Sequence, residues 1–362
     1  MIPWIQAWRL AATAFYQAEQ PNDHFRTCVQ ESDIVAQALA QLMIDLASDL
    51  AASDLAATDL AATEGLDADA TLDLVDVGGG NGELIVAVMA VLHQRSPELA
   101  LRCRPVVIDM RARPDDLPAS ITWIVGSAPE AVPTSITGLL IAHELLDDVP
   151  LEIAMYDDSG QLRTVEVDPA TGREALGDEA SRDMLAWTAR WWPGVRARER
   201  VEVGSTRDAM WCALTSCIDR GIGIAVDYAH SREQRAEHRW PNGSLAGYQG
   251  GRSVPPIPNG SMNVTAQVAL DSCADAAAHA ARTRRVATQF ALLTQRDALA
   301  WMTGTGMTTV ANATTPQQRL VDLARHSHLQ EARNPDGFGA FTWLVQSMGM
   351  AIPATLPSGS IT

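Results

Sequence analysis

The sequence predicts an α/β chain: a Rossmann-like, doubly wound parallel sheet with helices on both faces, an N-terminal helical segment, and a helical and hairpin insertion forming a cap. Three observations predict it. From Thr71 onward, short β-rich apolar runs alternate with helix-forming stretches. The first run ends in an acid and breaks into glycines, in "DLVDVGGGNGEL" (Asp73–Leu84), where such sheets bind nucleotides. The length, 362 residues, allows a sizeable core in one elaborated domain.

Taken in order, the N-terminus "MIPWIQAWRLAATAF" has no basic leader ahead of a continuous apolar stretch, so a signal peptide is not expected. Residues Ile34–Leu60 carry helix-forming Ala, Leu, Gln and Met. Within them "DLASDLAASDLAATDLAATEG" repeats a unit of about five residues, which fits neither a helical nor a coiled-coil period and reads as a tandem expansion of a helix or its exit loop. Strands are expected at Leu72–Val77, Pro105–Ile108, Ile121–Val125 and Gly138–Ala142. "EIAMYDDSGQLRTVEV" reads as a hairpin turning at Asp158–Gly160, followed by a helical, tryptophan-bearing block around Trp187–Trp192 and Met210–Cys217. Ile222–Val226, Val286–Leu292 and Phe338–Val345 supply further strands, and Asn242–Gly260, rich in Gly, Pro and Ser, reads as a long loop. The whole chain, 1–362, is expected to be one domain: 1–70 an N-terminal helical segment, 71–150 the cofactor-binding core, 151–218 the cap, and 219–362 the remaining strands with the loop 242–260.

Composition excludes several chemistries. There is no lysine, so no Schiff-base lysine, lysine general base or phosphate-loop lysine is available. The formal net charge of −17 disfavours nucleic acid as a partner and favours either simple solubility of a bacterial protein or attraction of a basic, arginine-bearing surface. Five cysteines, odd in number and without a Cys-x-x-Cys pair, argue against a disulfide framework or a zinc site and fit the cytoplasm. No apolar run approaches the ~20 residues needed to cross a bilayer. His326-Ser-His328 lacks neighbouring ligands, so no metal is expected.

The glycines decide the cofactor class. A dinucleotide fingerprint, G-x-G-x-x-G, would place its third glycine at position 83, which is Glu83. Instead Gly78, Gly80 and Gly82 alternate behind Asp76. A backbone this bare lets an uncharged ribose and an amino-acid tail lie close, with Asp76 placed to attract an ammonium, while Glu83 at a helix start would repel a pyrophosphate. S-adenosylmethionine has this combination of parts and NAD does not. Asp109, ending the next strand, is placed to accept both ribose hydroxyls, and Ser127 and Ala128 after Gly126 stand where an adenine edge would lie. The competing readings are a purely structural glycine turn and an ordinary helix cap at Asp109.

After the fourth strand, "LLIAHELLDDVPLEIA" places Glu144 and Asp147 three residues apart, on one face of a helical turn if one forms. Two carboxylates at the carboxyl end of a parallel sheet can hold a guanidinium and localise its charge. His143 can touch the cofactor or accept a proton, and a solvated helix start is the competing reading.

At these residues the sequence resembles the MidA family of class I methyltransferases, which includes the mitochondrial arginine methyltransferase needed for complex I assembly. "HFRTCVQESDIVAQALAQL" (His24–Leu42) resembles its N-terminal Gly-Asp-Phe-x-Thr block, and Thr27 is thereby implied in cofactor binding. "VDVGGGNGEL" resembles its cofactor loop and "IAHELLDDVPLEIA" its Asn-Glu-Leu-Phe-Asp-Ala-Leu-Pro segment. "AVDYAH", "GSLAGYQGGR" and "NVTAQVALD" resemble its Asp-Tyr-Gly, Gly-Thr-Leu-x-x-Tyr and Leu-Thr-Ala-His-Val-Asp motifs; "LLTQRDAL" and "GFGAFTWLVQ" resemble C-terminal pieces. The chain departs at Asp23-His24, at His143 for the asparagine, at Ala229 for the glycine, and at Gln267 and Ala269 for a histidine and an acid.

The resemblance implies methylation of an arginine nitrogen on a protein partner. Glu144 would lead in orienting the guanidinium, Asp147 and Asp227 would support it, and His143 or His230 would take up the proton. Methylation of a small molecule under the 242–260 loop, or a cofactor-binding assembly factor without turnover, are the alternatives.

Overall fold

The structure, a computed structural model, describes residues 1–18, 33–58, 70–250, 252–303, 327, 330, 332–334 and 337–353. Thr27, His326 and His328 lie outside the described residues. The chain opens with Ile2–Pro3 (β1), Trp4–Ala18 (α1) and the 26-residue helix Asp33–Thr58 (α2). There follow Leu72–Val77 (β2), Glu83–Arg95 (α3), Pro97–Arg102 (α4), Cys103–Asp109 (β3), Thr122–Val125 (β4) and Ile136–His143 (β5). The expected hairpin is Glu152–Tyr156 (β6) and Leu162–Val167 (β7), closed at Gly160 (φ +80) by the Asp157 N–H donating to the Gln161 carbonyl at 2.9 Å. Glu174–Glu179 (β8), Arg182–Trp191 (α5), Arg200–Val203 (β9), Ser205–Ser216 (α6) and Ile218–Tyr228 (β10) come next. The remainder is Arg232–Ala236 (α7), Ala246–Gln249 (β11), Arg252–Val254 (β12), Asn263–Thr265 (β13), Leu270–Thr283 (α8), Thr288–Thr294 (β14), Gln295–Thr303 (α9) and Phe341–Met348 (β15).

These elements divide into two compact units, each built from three pieces of chain. The first contains Thr27–His143, Leu214–Val226 and Ala281–Thr362. Its seven-stranded sheet runs β14-β15-β10-β5-β2-β3-β4, with β10, β5, β2, β3 and β4 mutually parallel and β14 antiparallel to β15. All six residues of β2 are buried, as an inner strand covered on both faces requires, which is why it reads as an apolar run. The strand order reverses at β2, whose neighbours are β3 on one side and β5 on the other. Open α/β sheets bind ligands outside the carboxyl ends of the strands at such a reversal.

Helix α2 packs against α3, α9 and β5. Its segment Ile34–Ala52, 19 residues of mean hydropathy 1.4, is long and apolar enough by composition to cross a membrane, contrary to the expectation from sequence. Its apolar side faces this packing: Leu39, Leu42, Met43 and Leu46 are fully buried.

The second unit contains Met1–Arg26, Glu144–Ala213 and Asp227–Ala280. It therefore draws in the N-terminal helix and the 227–280 stretch, where the sequence marked only 151–218 as a cap. The reason is packing between distant segments. Trp4 and Trp8 of α1 share a core with Leu151, Ile153, Val165, Met262 and Val264, and β1 pairs with β7. Trp187 and Trp192 fill a second cluster with Ala154, Val201, Val203 and Ala269. The stretch Asn242–Gly260 is not an unbroken loop: β11 pairs antiparallel with both β12 and β13. The last strand begins three residues later than expected, after a 3-10 turn at Phe338–Ala340.

Two glycines let β2, β5 and β10 pack as they do. A methyl group at Gly138 (φ +147) would overlap the Asp73 carbonyl, and one at Gly221 (φ +156) would overlap the carbonyl of Gly138. Gly138→Ala is expected to destabilise the fold by about 3 kcal/mol in urea titration. Gly160→Ala, strained in φ but open in space, should cost only about 1 kcal/mol. Equal effects would contradict this packing.

Candidate functional site

The loop after β2 is built by left-handed backbone. Gly78, Gly80 and Gly82 have φ of +74, +62 and +81, a region side-chain-bearing residues seldom adopt. The Gly78 N–H donates to the Ile108 carbonyl at 2.8 Å and the Gly82 N–H to the Gly79 carbonyl at 2.8 Å, closing a tight turn from which α3 starts at Glu83. Gly78 is exposed and Gly79 to Asn81 are half-buried, while Gly82 is buried against the Leu117 side chain.

Asp76, near the end of β2, is 1% exposed and its Oδ2 has no hydrogen-bond partner among the described residues. Asp73 of the same strand shows what a structural acid looks like here: its Oδ1 accepts from Arg104 Nε at 2.6 Å and its Oδ2 from the Thr137 N–H at 3.0 Å. Burial, then repulsion from Asp109 and Glu83, pushes the Asp76 carboxyl up to about 7. Asp109, ending β3, accepts from the Gly80 N–H at 3.0 Å through Oδ2, and through Oδ1 from the Arg111 N–H at 2.9 Å and Arg111 Nε at 3.0 Å. Ser127 and Ala128 follow β4, tied to β3 by the Gly126 N–H donating to the Asp109 carbonyl at 2.9 Å. Sequence reasoning missed Arg111. It also missed Met110 and Val125, which are 52% and 62% exposed at this sheet edge, where Asp109 and Val125 are register partners. Two large apolar side chains left in the open at the ends of β3 and β4 suit the face of an adenine.

His143 is the last residue of β5 and packs 6.1 Å from the ring of Phe341; burial lowers its imidazole to about 4, so it is neutral at physiological pH. The next residue, Glu144, begins the other unit's acidic segment, and no helical turn forms there. Glu144 adopts φ +52, a left-handed conformation costing a non-glycine residue ~1–3 kcal/mol, of the kind retained at functional sites. Leu146–Val149 is a single turn closed by the Val149 N–H to the Leu146 carbonyl at 3.2 Å. Asp227 sets this shape: its Oδ2 and Oδ1 accept the N–H groups of Leu146 and Asp147 at 3.2 and 3.3 Å. Burial first, then the neighbouring Asp147, holds the Asp227 carboxyl well above the usual range; burial likewise raises Asp147, whose carboxyl bonds that of Asp227.

Arg207 fixes the same segment from beneath. Its buried guanidinium donates to the carbonyls of Val149 (3.0 Å), Asp147 (2.6 Å), Ala266 (2.9 Å) and Gln267 (2.9 Å). Asp148, the second acid of the doublet, is held up to about 7 by burial and accepts from Asn263 Nδ2 at 3.0 Å and from the Tyr16 hydroxyl. Tyr248 is raised by burial and then by Asp147 and Glu144, placing its phenol in the field of both acids. Gln267, at the motif position of a histidine, carries a buried amide oxygen without a donor among the described residues; Ala269 packs in the tryptophan cluster. His230 is 3% exposed; its ring stands edge-on to Trp192 and Trp240, Arg235 Nη1 lies 2.9 Å from its Nδ1, and Glu202 Oε2 lies 3.9 Å from its Nε2.

A protein-family model described as "Putative S-adenosyl-L-methionine-dependent methyltransferase" matches residues 55–288, well over half of the chain. The chain belongs to this family. Its fold is that of a COG1565 superfamily member from Burkholderia thailandensis crystallised with S-adenosyl-homocysteine. That structure has a TM-score of 0.74 and 18% identity, the alignment covering 100% of this chain and 91% of that one. A native crystal structure of a COG1565 superfamily protein from the same organism gives a TM-score of 0.70 at 18% identity, with the same coverage. No protein of curated function matches the sequence.

The residues of this methyltransferase fit S-adenosylmethionine. Asp76 offers a buried, unpaired carboxylate oxygen to an ammonium, the positive-φ glycines leave room for ribose and tail, and Asp109 keeps accepting capacity on Oδ2 for a hydroxyl. Glu83 at the first position of α3 leaves a dinucleotide without its anchor.

Two outcomes follow. In calorimetry, S-adenosylmethionine should bind in the micromolar range and NAD should not. Gly80→Val should abolish that binding, because valine is strained at φ +62 and faces Arg111 Nη2, 3.6 Å from the added Cβ; NAD binding would overturn the assignment. The second concerns pH. The Asp76 carboxylate is charged only above about 7, so affinity for the cationic tail should rise about tenfold between roughly pH 6 and 8. Asp76→Asn should weaken binding and flatten that dependence.

Proposed function

We propose that this methyltransferase methylates an arginine nitrogen of a protein partner. The observation that carries the reading is Glu144, held in a left-handed conformation at the head of a segment that Asp227 and Arg207 clamp from both sides. The Glu144 carboxylate, carried on this constrained backbone with Asp147 three residues on and the Tyr248 phenol in the field of both, suits a planar cation that needs bidentate acceptors. Glu144 orients the guanidinium and biases its charge toward the nitrogens that it binds, leaving the remaining nitrogen the better nucleophile. S-adenosylmethionine supplies an electrophilic methyl on a sulfonium that needs no further activation, so the enzyme acts chiefly by alignment.

The nitrogen loses a proton as the new C–N bond forms. With His143 lowered to about 4, the Asp147–Asp227 pair is the better acceptor, since burial of both, and at Asp227 the neighbouring Asp147, raise their affinity for a proton. The net charge of −17 complements a basic, arginine-bearing partner and speeds its encounter at low salt.

The test is methyl transfer to an arginine-containing peptide library with wild type and Glu144→Gln. The variant should lose about 100-fold or more in kcat/KM while binding S-adenosylhomocysteine as the wild type does. An unchanged rate would remove Glu144 from the chemistry, and methylation of metabolites but of no protein in a lysate would replace the arginine acceptor with a small molecule.

A further inference from the structure

Asp109 is the acid placed to receive the ribose diol, yet much of its accepting capacity is already taken. Each carboxylate oxygen has two lone-pair sites. On Oδ1 both are used, by the Arg111 N–H at 2.9 Å and Arg111 Nε at 3.0 Å. On Oδ2 the Gly80 N–H takes one at 3.0 Å, while Arg111 Nη2 stands at 3.4 Å, at the edge of a useful bond. The Arg111 guanidinium also lies against the glycine turn, its Nη2 3.6 Å from where a Cβ of Gly80 would be. It is held from behind, since the Trp123 indole Nε1 donates to the Arg111 carbonyl at 3.0 Å. The ion pair is largely shielded, with the Arg111 and Asp109 side chains 19% and 10% exposed, so it is not a freely solvated contact.

We propose that Arg111 competes with the cofactor ribose for Asp109 and thereby limits nucleoside affinity and the enzyme's preference for an intact diol. With the guanidinium in place, Oδ2 alone can accept a ribose hydroxyl; two-point acceptance of both hydroxyls requires Arg111 Nε to leave Oδ1. Affinity is therefore reduced by the free energy of breaking that ion pair, and the discrimination between ribose and deoxyribose is blunted. The inference rests on the S-adenosylmethionine reading of this cradle and adds a residue of opposite effect to it: where Asp76 and Asp109 attract, Arg111 restrains.

Binding is the readout, so turnover is not needed. Calorimetry at about pH 8, where Asp76 is ionised, compares S-adenosylhomocysteine on wild type, Arg111→Met and Arg111→Lys. Competition against it compares adenosine with 2′-deoxyadenosine, both uncharged probes without the tail. Arg111→Met should bind S-adenosylhomocysteine about fivefold or more tightly, and its preference for adenosine over 2′-deoxyadenosine should rise to about tenfold, the worth of one hydrogen bond to a charged acceptor. Arg111→Lys, which keeps a cation but not the guanidinium Nε, should fall between. Circular dichroism and thermal melts check folding, and Asp109→Asn should erase the diol preference in either background. Tight S-adenosylhomocysteine binding by wild type that Arg111→Met leaves unchanged or weakens would overturn the role of Arg111 alone. No binding by any of them would overturn the cofactor reading with it.

Discussion

Burying a carboxylate costs several kcal/mol unless its oxygens find donors, and the cofactor side of this protein is organised around one that does not. Asp76 lies near the carboxyl end of β2, where the strand order reverses, with Oδ2 unsatisfied among the described residues. Three residues earlier on the same strand, Asp73 is as deeply placed and fully bonded to Arg104 and Thr137. The contrast separates an acid that holds the sheet together from one left for a ligand. The glycine turn and Asp109 lie beside that acid, the Gly80 N–H donating to Asp109 Oδ2, and the residues fit a cation-bearing nucleoside better than a pyrophosphate, which Glu83 would repel.

The acidic segment of the other unit is held instead through its backbone. Asp227 accepts the N–H groups of Leu146 and Asp147, and Arg207 donates to four main-chain carbonyls, so the turn from Glu144 to Val149 has little freedom. Within that frame Glu144 sits at positive φ, and buried Asp227 and half-buried Asp147 share a hydrogen bond with their carboxyls shifted up. Arg207 donates to carbonyls, and its charge close by offsets part of the rise that burial imposes on Asp147 and Asp227. Such rigidity suits a reaction whose demands on the protein are mainly geometric.

Much of this was legible in the chain. Buried parallel strands must be apolar on both faces, so the β2 and β5 runs were plain, and the alternate glycines behind Asp76 specified the turn because only glycine adopts those φ values cheaply. The missing parts depend on partners far away in sequence. Three-residue spacing suggested a helical turn for Glu144 and Asp147, but Asp227, some 80 residues on, imposes another shape. The short strands β11 and β12 hide in glycine- and proline-rich sequence because their pairing, not their composition, makes them strands. The grouping of α1 with the hairpin comes from two tryptophans meeting Ile153 and Val264. Arg111 was invisible in a chain where every basic side chain save histidine is arginine, and the pairing of Asp73 with Arg104, 31 residues on, could not be read from the letters.

The most direct measurement of the central claim is a carbon-13 NMR titration of the aspartate carboxyls, with Asp76 assigned by its Asn variant, with and without S-adenosylhomocysteine. The Asp76 carboxyl should titrate at about 7 in the free protein and move down by about two units or more when the ligand's ammonium arrives. A carboxyl that titrates near 4 in the free protein, or one that the ligand does not move, would contradict it.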